Sequence, residues 1–146
     1  MCWSIIVSIW KKTFNLDQLN ASRTNTMVES LGILMTEFGD DYLIASMPID
    51  HRTHQPMGIM HGGASVALAE TVGSVAANMA VDADHYCVGL DINANHLKAV
   101  RSGLVYATTR PFHLGKTTHV WDIQIVNEDD KPVCVSRLTM AVLRNK

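Results

Sequence analysis

Hydrophobic and polar positions follow two different periods along the chain, and the difference separates one long helix from a set of strands. Residues 62–79 are small or apolar at nearly every position, which is typical of a helix that other elements enclose. Residues 118–126 alternate instead, so one strand face is formed by His119, Trp121, Ile123 and Ile125. The pattern therefore predicts a central helix and, later in the chain, a half-buried strand.

Shorter patterns predict the remaining elements. Residues 15–18 and 26–29 have the form of capping boxes that begin short helices, and Gly32 is expected to end the second helix. Two runs before the long helix predict a hairpin with a polar turn, at 33–37 and 42–47. Three further strand-like runs follow the helix, at 85–93, 104–112 and 133–143.

The order of these elements predicts the fold class. Strands that follow one another through short turns favour an antiparallel sheet. We therefore expect an α+β fold in which an antiparallel β-sheet wraps around the long central helix, in a single domain spanning residues 1–146. Such a sheet leaves its edge strands unpaired, so we expect at least a dimer.

Composition narrows the class of protein. The chain has 146 residues, 47% of them hydrophobic, which is enough for a packed core and argues against disorder. Its formal net charge of −2 provides no basic field for nucleic acid. Cys2, Cys87 and Cys134 show no paired spacing, which indicates a reducing compartment.

The sequence predicts no metal, no cofactor and no membrane segment. His51 and His54 lie three positions apart but have no third ligand at motif spacing. Residues 1–10 are apolar but too short to span a membrane. Lys11 and Lys12 follow this run, whereas a signal peptide places its basic residues first, so we expect a cytoplasmic protein.

The candidate chemistry lies around the start of the long helix. Gly62 and Gly63 leave backbone N–H groups bare at a helix N-terminus, which attracts an anion or an oxygen that becomes one during a reaction. About two turns later the apolar helix carries one carboxylate, Glu70, whose burial is costly unless it is paired. A Gly-Gly pair is more often a simple turn and a lone Glu more often an ion-pair partner. Together they indicate acyl transfer or hydrolysis, and the absence of a Gly-x-Ser-x-Gly elbow argues against a serine hydrolase.

These residues resemble the hotdog-fold thioesterases over nearly the whole chain. Within that family the likeness is to the branch that hydrolyses 1,4-dihydroxy-2-naphthoyl-CoA and hydroxybenzoyl-CoA and that includes the proofreading thioesterases of enterobactin synthesis. The motifs that carry the resemblance are RTHQP at 52–56, HGGAS at 61–65, LAET at 68–71, GS at 73–74, VGLDINANH at 88–96, PFHLG at 111–115 and SRLT at 136–139.

The resemblance implies a role for each matching position. Glu70 is the catalytic carboxylate, as nucleophile or as general base, and both roles stay open. The Gly62 amide polarises the thioester carbonyl, Gln55 and His61 help to hold it, and Ser74 orients water or the acyl group. His96 meets a hydroxyl of an aromatic acyl group. The implied substrate-binding residues are Gly89, His96, Leu97, Lys98, Ala99, His113, Leu114, Gly115, Lys116, Thr117 and Thr118.

The resemblance also implies an assembly, a homotetramer built as a dimer of dimers, with Glu70 from one subunit and Gln55 and His61 from its neighbour. The chain departs from the family pattern at three places. Lys98 stands where Arg is usual and keeps the charge without the bidentate fork, Met57 replaces a Phe beside the acyl pocket, and residues 1–8 precede the usual start.

The function implied is hydrolysis of aromatic acyl-CoA thioesters, of hydroxybenzoyl or dihydroxynaphthoyl type, which would place the enzyme in menaquinone biosynthesis. One alternative is a proofreading thioesterase that acts on aroyl groups of a carrier protein. Another is a non-catalytic acyl-CoA binding module, which Glu70 argues against because a binder needs no carboxylate there. A hotdog dehydratase is a further alternative, but this sequence shows no Asp and His set of the kind that β-hydroxyacyl chemistry needs.

Overall fold

Six strands and three helices make up the part of the chain that the computed structural model describes, residues 7–146. Two short helices, α1 (Leu16–Ala21) and α2 (Met27–Ser30), precede a hairpin of β1 (Leu34–Phe38) and β2 (Leu43–Pro48). The long helix α3 (Gly62–Met79) follows. The last four strands are β3 (His85–His96), β4 (Leu104–Leu114), β5 (Thr118–Asn127) and β6 (Pro132–Arg144). Most of the predicted extension, residues 1–6, lies outside the described residues.

The strands form one antiparallel sheet in the order β1-β2-β4-β5-β6-β3. The predicted fold class is confirmed, because this sheet packs around α3 and buries Leu68, Val72 and Ala76 of the helix against Trp121 and Leu138 of the strands. The predicted alternation of β5 is also confirmed, since its buried residues are those at odd positions from His119 to Ile125.

Strand β3 is longer than its sequence predicts. The prediction ended at residue 93, yet pairing with β6 continues to His96, which lies opposite Cys134. Asp and Asn have low strand propensity, and the ladder to β6 outweighs that preference. Within the described protomer β3 pairs on one side only, and its exposed edge carries Tyr86, Val88 and Leu90.

Helix α3 runs antiparallel to β3, which places each helical turn opposite a defined strand residue. The N-terminal turn lies beside His96, since a Cβ built on Gly62 would be 2.9 Å from His96 Nε2. At the other end Asn78 brackets Cys87, accepting from its backbone N–H at 2.8 Å and donating to its carbonyl at 3.1 Å. This pairing aligns the helix along the edge strand.

Both ends of α3 are capped from outside the helix. His61 Nδ1 accepts a hydrogen bond from the Gly63 N–H at 2.8 Å. At the C-terminus, the backbone N–H groups of Lys11 and Lys12 donate to the Met79 carbonyl at 2.9 and 3.2 Å. The N-terminal segment therefore satisfies the carbonyl that the helix leaves open, which explains why the helix ends at Met79.

Of the two predicted capping boxes, one is confirmed at its cap and the other forms differently. Asn15 Oδ1 accepts from the Gln18 N–H at 2.8 Å, as a cap should. Thr26 makes no side-chain cap and donates its hydroxyl to the Arg23 carbonyl instead. Glu29 reaches back one residue further than expected, to the N–H of Asn25, whose positive φ turns the chain there.

The prediction that α3 is enclosed on all sides is wrong for the single protomer. Its buried positions follow one broad stripe, while Ala67, Glu70 and Thr71 on the other side are only half-buried. One protomer has a single sheet and cannot cover both sides of the helix.

Among residues 7–146, no helix is long and apolar enough to cross a membrane.

Candidate functional site

A cavity of about 320 Å³ lies at the N-terminus of α3 and collects several of the predicted site residues. Its lining comprises Gln55, Ile59, Met60, Gly62, His96, Leu97, Lys98, Ala99 and Val133. Gly62 is the first residue of the helix, and its N–H has no acceptor within residues 7–146. The structure therefore presents an unpaired backbone donor, with the positive end of the helix dipole behind it, to this cavity.

His61 is held beside that donor from two directions. Its backbone N–H donates to the Thr53 carbonyl at 2.8 Å, and its Nδ1 accepts from the Gly63 N–H at 2.8 Å. An Nδ1 that accepts carries no proton, so the neutral ring carries its proton on Nε2. His61 can therefore donate a hydrogen bond from Nε2, which suits an oxygen that gains negative charge.

Gln55 sits in a tight loop that aims its side chain. Its backbone donates to the Ile59 carbonyl at 2.9 Å and accepts from the Gly58 N–H at 2.9 Å, and Gly58 adopts φ +72° to close the turn. The side-chain oxygen accepts from the Met57 N–H, which leaves the amide N–H groups for a ligand. Met57 itself is 74% exposed and lines neither the Gln55 cavity nor the one at Glu70.

Glu70 lies in a second cavity, of about 210 Å³, with apolar walls. The lining residues are Met27, Val28, Leu31, Ile33, Ala67 and Thr71. Glu70 is half-buried and has neither an ion pair nor a side-chain hydrogen bond in the part of the chain that the structure describes. The carboxylate expected to be buried is thus open on one side, and the structural ion pair that would have explained it is not seen among the described residues.

One protomer keeps Glu70 and Gly62 apart. They are eight residues apart on one helix, so their backbones are about 12 Å apart along its axis. They also line different cavities. A single carbonyl group cannot reach both within one chain. The two halves of the expected site must therefore meet across two protomers if they act on one substrate.

Ser74 does not join Glu70 in its cavity. The Ser74 hydroxyl lies 3.8 Å from Met140 Sδ, and its backbone carbonyl accepts from Asn78. Ser74 and Glu70 lie on the same face of α3, one turn apart, as their spacing predicts. The orienting role of Ser74 stays a prediction.

The predicted coenzyme A contacts fall into two groups at opposite ends of the sheet. Thr118 pairs with Ala141, which pairs with Val88, whereas His96 lies eight residues further along β3. That separation is about 26 Å at the rise of an antiparallel strand. The groups at 96–99 and 113–118 are therefore not brought together within one protomer.

The hairpin group, residues 113–118, borders a cavity of about 580 Å³. Leu114, Gly115 and Lys116 line it together with Lys11, His85 and His119. His119 is buried, and desolvation, assisted by nearby His113, lowers its pKa below the usual value. His113 folds over the hairpin, because a Cβ on Gly115 would lie 2.6 Å from its Nε2.

The cationic side chains near these cavities differ in whether they form ion pairs. Lys98 and Lys116 are exposed and form no ion pair within residues 7–146. Arg137 instead lies 3.7 Å from Asp122 and over the Phe112 ring at 4.5 Å. Arg137 is therefore already occupied, and the two lysines are the better candidates for phosphate contacts.

Of the two histidines considered for a metal, His54 has a hydrogen-bond partner and His51 is exposed. His54 Nε2 contacts the Arg101 carbonyl at 2.8 Å, and the His51 side chain is 90% exposed. A different group, Asp82, Asp84 and His85, brings its ligand atoms within 4.8 Å of one another. Asp84 already bonds His85 and pairs with Arg144, which lowers the pKa of its carboxyl group. Within this cluster, Asp84 is therefore already held by His85 and Arg144.

Sequence inspection missed two features of the site. The wall opposite Glu70 comes from α2, about forty residues earlier in the chain, and its apolar residues carry no motif. The second feature is the contact of Ser65 with His96, whose Nδ1 lies 3.1 Å from the Ser65 hydroxyl. The position of Ser65 one turn after Gly62 was the available signal.

Comparison with known proteins supplies the family. A family model described as Thioesterase superfamily matches residues 57–134. The fold also matches the crystal structure of a thioesterase from Haemophilus influenzae, with a TM-score of 0.92 and 52% sequence identity. That match covers 93% of this chain and 95% of the other.

Two named relatives are similar along almost their whole length. The proofreading thioesterase EntH of Cronobacter sakazakii is 48% identical over 135 residues, which are 92% of this chain and 98% of the relative. The 1,4-dihydroxy-2-naphthoyl-CoA hydrolase of Escherichia coli is 47% identical over 135 residues, 92% of this chain and 99% of that protein. Similarity on this scale extends across both halves of the candidate site.

Proposed function

The chain belongs to the thioesterase superfamily, and we propose that its thioester substrates are aromatic acyl-CoA molecules, of the hydroxybenzoyl or dihydroxynaphthoyl type. The relative named as a 1,4-dihydroxy-2-naphthoyl-CoA hydrolase supports an aromatic acyl group. The apolar walls around Glu70 support it as well, since a flat aromatic ring can bury its faces against them.

The observation that carries the proposal is the Glu70 carboxylate, which lies in an apolar cavity and has no ion pair within residues 7–146. A carboxylate without an ion pair gains nothing structurally from that position, which favours a role as base or nucleophile. Glu70 either attacks the carbonyl carbon to form an anhydride, which water then hydrolyses to release the acid and regenerate the carboxylate, or removes a proton from a water that attacks the carbonyl directly. In both cases the carbon–sulfur bond breaks, and the coenzyme A thiolate leaves readily near neutral pH.

The second half of the mechanism is the polarisation of the carbonyl oxygen. The Gly62 N–H, the His61 Nε2–H and the Gln55 amide each offer a donor at the helix N-terminus. Donors that are already oriented stabilise the oxyanion without reorganisation at the moment of reaction. No metal is needed for this chemistry, because the amide donors and the helix dipole supply the positive field.

We propose that the active unit is a dimer and the complete assembly a homotetramer, a dimer of dimers. The separation of Glu70 from Gly62 supports a shared site. The exposed edge of β3 supports the dimer, since pairing it with the same strand of a second protomer would satisfy its open backbone groups. The Leu97–Ala99 group of one protomer would then face the hairpin group of its partner around coenzyme A.

A carrier protein is the second candidate substrate. The proofreading relative favours it, and both substrates present the same phosphopantetheine arm. Lys98 and Lys116, which form no ion pair with any residue that the structure describes, favour coenzyme A, because only coenzyme A adds a nucleotide with further phosphates. A cytoplasmic location, a part in menaquinone biosynthesis and a single domain over residues 1–146 remain predictions.

Glu70→Gln tests the function directly. The amide keeps the side-chain volume but loses the base and the nucleophile, so kcat should fall about a hundredfold to ten-thousandfold. Release of free thiol from benzoyl-CoA, 4-hydroxybenzoyl-CoA and hexanoyl-CoA is measured for both proteins, with Glu128→Gln as the matched control. Glu128 lies in the polar β5–β6 turn.

The outcomes separate the alternatives. Higher kcat/KM for the aromatic substrates supports the aromatic proposal, and a preference for hexanoyl-CoA contradicts it. Binding without turnover indicates the non-catalytic module. A much higher kcat/KM for an aroyl group loaded on a carrier protein than for the same group on coenzyme A indicates the proofreading role.

A further inference from the structure

Ser65 anchors the ring of His96 from inside the protein. Ser65 is fully buried in the first turn of α3, and its Oγ lies 3.1 Å from His96 Nδ1. The same hydroxyl donates to the Gly62 carbonyl at 2.8 Å. His96 is exposed, so within the described residues this buried contact holds its ring in place.

The hydroxyl has one proton, and that proton is directed at the Gly62 carbonyl. Its lone pairs are then left to accept from His96, which requires the proton of the neutral ring to be on Nδ1. His96 thus has the opposite tautomer to His61, whose Nδ1 accepts from Gly63.

The other ring nitrogen of His96 lies beside Gly62, and both residues line the cavity at the N-terminus of α3. A Cβ built on Gly62 would lie 2.9 Å from His96 Nε2, so this nitrogen is next to the residue whose N–H polarises the carbonyl. Without a proton, Nε2 can only accept a hydrogen bond. The aromatic substituent nearest to the carbonyl is one on the adjacent ring carbon.

We propose that Ser65 is a positioning residue that holds His96 with its proton on Nδ1, so that Nε2 accepts from a hydroxyl adjacent to the thioester carbonyl. This inference rests on the proposed aroyl-CoA substrate and names the feature of the acyl group that the site selects. Substrates with a 2-hydroxyl gain a hydrogen bond, while those without one leave Nε2 unpaired.

Ser65→Ala tests the proposal with three substrates. Removing the acceptor at Nδ1 frees the ring to place its proton on Nε2, which then cannot accept from the substrate. We expect kcat/KM for 2-hydroxybenzoyl-CoA to fall about three- to tenfold, the value of one hydrogen bond, with benzoyl-CoA and 4-hydroxybenzoyl-CoA within about twofold of wild type. Ser136→Ala is the matched control, since it removes a buried hydroxyl that bonds the Asn93 carbonyl at 2.8 Å.

Nitrogen-15 NMR of the histidine rings, recorded at alkaline pH, reports the tautomer independently of activity. The His96 signals are assigned by their loss in His96→Asn, and they should show a proton on Nδ1 in the wild type and on Nε2 in Ser65→Ala. A double-mutant cycle should show that Ser65→Ala adds no further loss once His96 is replaced.

Two results would overturn the proposal. An Nε2 proton on His96 in the wild type contradicts the tautomer, and equal losses on all three substrates show that Ser65 only maintains the shape of the helix N-terminus. If the wild type hydrolyses no aroyl-CoA, the proposed function fails, whereas the NMR signals still decide the tautomer that Ser65 imposes.

Discussion

Glu70 and Gly89 face each other across the contact between α3 and β3, with no room for a side chain between them. A Cβ built on Gly89 would lie 2.5 Å from Glu70 Oε1. Gly89 was predicted as a coenzyme A contact, and the structure gives it a neighbour that the resemblance did not indicate. The strand register shifts just after it, between Gly89 and Asp91. The bare backbone therefore provides the space in which the carboxylate rests.

Gly89→Ala should lower kcat strongly while it changes the free energy of unfolding little. The added methyl group displaces the carboxylate from its position, and a displacement of about 1 Å can cost a hundredfold in rate. Gly89 does not have a positive φ, so alanine is compatible with the backbone. Steady-state kinetics and thermal unfolding measure the two effects. Wild-type kcat in the folded variant would show that Glu70 does not need this space.

Two inactive variants should restore activity when they assemble together. In a dimer of Glu70→Gln and Gln55→Ala chains, one site keeps both residues and the other loses both. Random pairing should then recover about a quarter of wild-type activity if the dimer is the minimal unit. The chains are refolded as a mixture, assayed, and sized by light scattering.

The control for this mixture pairs Glu70→Gln with the chain that carries both substitutions, which cannot form an intact site. Recovery only in the first mixture supports the shared site. An active monomer at micromolar concentration, or no recovery in mixed dimers, contradicts it. A tetramer of the wild type is the expected assembly.

Lys98→Ala should raise KM about two- to fivefold with little change in kcat, the size expected for an exposed charge pair. The effect should shrink at high salt, because exposed charges are screened over about 8–10 Å near physiological ionic strength. Lys146→Ala, at the chain end, is the charge control. An aroyl pantetheine thioester lacks the nucleotide and should show no difference, so an equal loss on that substrate would point to a change in site shape.

His119 should make the protein less stable in acid. Burial lowers the pKa of His119 in the folded state, with a further contribution from His113. Above the unfolded value of about 6.5 both states are neutral and the free energy of unfolding is unaffected. Below it the unfolded chain binds a proton that the folded chain does not, so this free energy falls as pH falls, by up to about 1.4 kcal/mol per pH unit.

His119→Phe should remove that part of the pH dependence. The Nδ1 atom of His119 is buried without a hydrogen-bond partner among the described residues, so an apolar ring suits the position at neutral pH. Urea unfolding of both proteins across the acid range gives the slopes, and His51→Phe, on an exposed ring, is the control. Identical slopes for wild type and His119→Phe would show that His119 takes up its proton without unfolding.

The sequence alone determined the elements and the identity of the chemistry. Period-2 alternation in β5 and the long small-residue run of α3 are local patterns, and these two elements form where their own residues favour them. The motif residues Gln55, His61 and Gly62 likewise lie together at the helix N-terminus because they are neighbours in the chain. Local physics was enough for these features.

Tertiary structure decided which of these residues can meet. Helix α3 carries Gly62 and Glu70 at a distance that its rise sets, and no local pattern shows that they line separate cavities. The wall of α2 beside Glu70, the glycine opposite it and the contact of Ser65 with His96 each join residues far apart in the chain. Such contacts depend on how the helix is seated against β3, because packing between elements, and not the preference of any single segment, fixes that register.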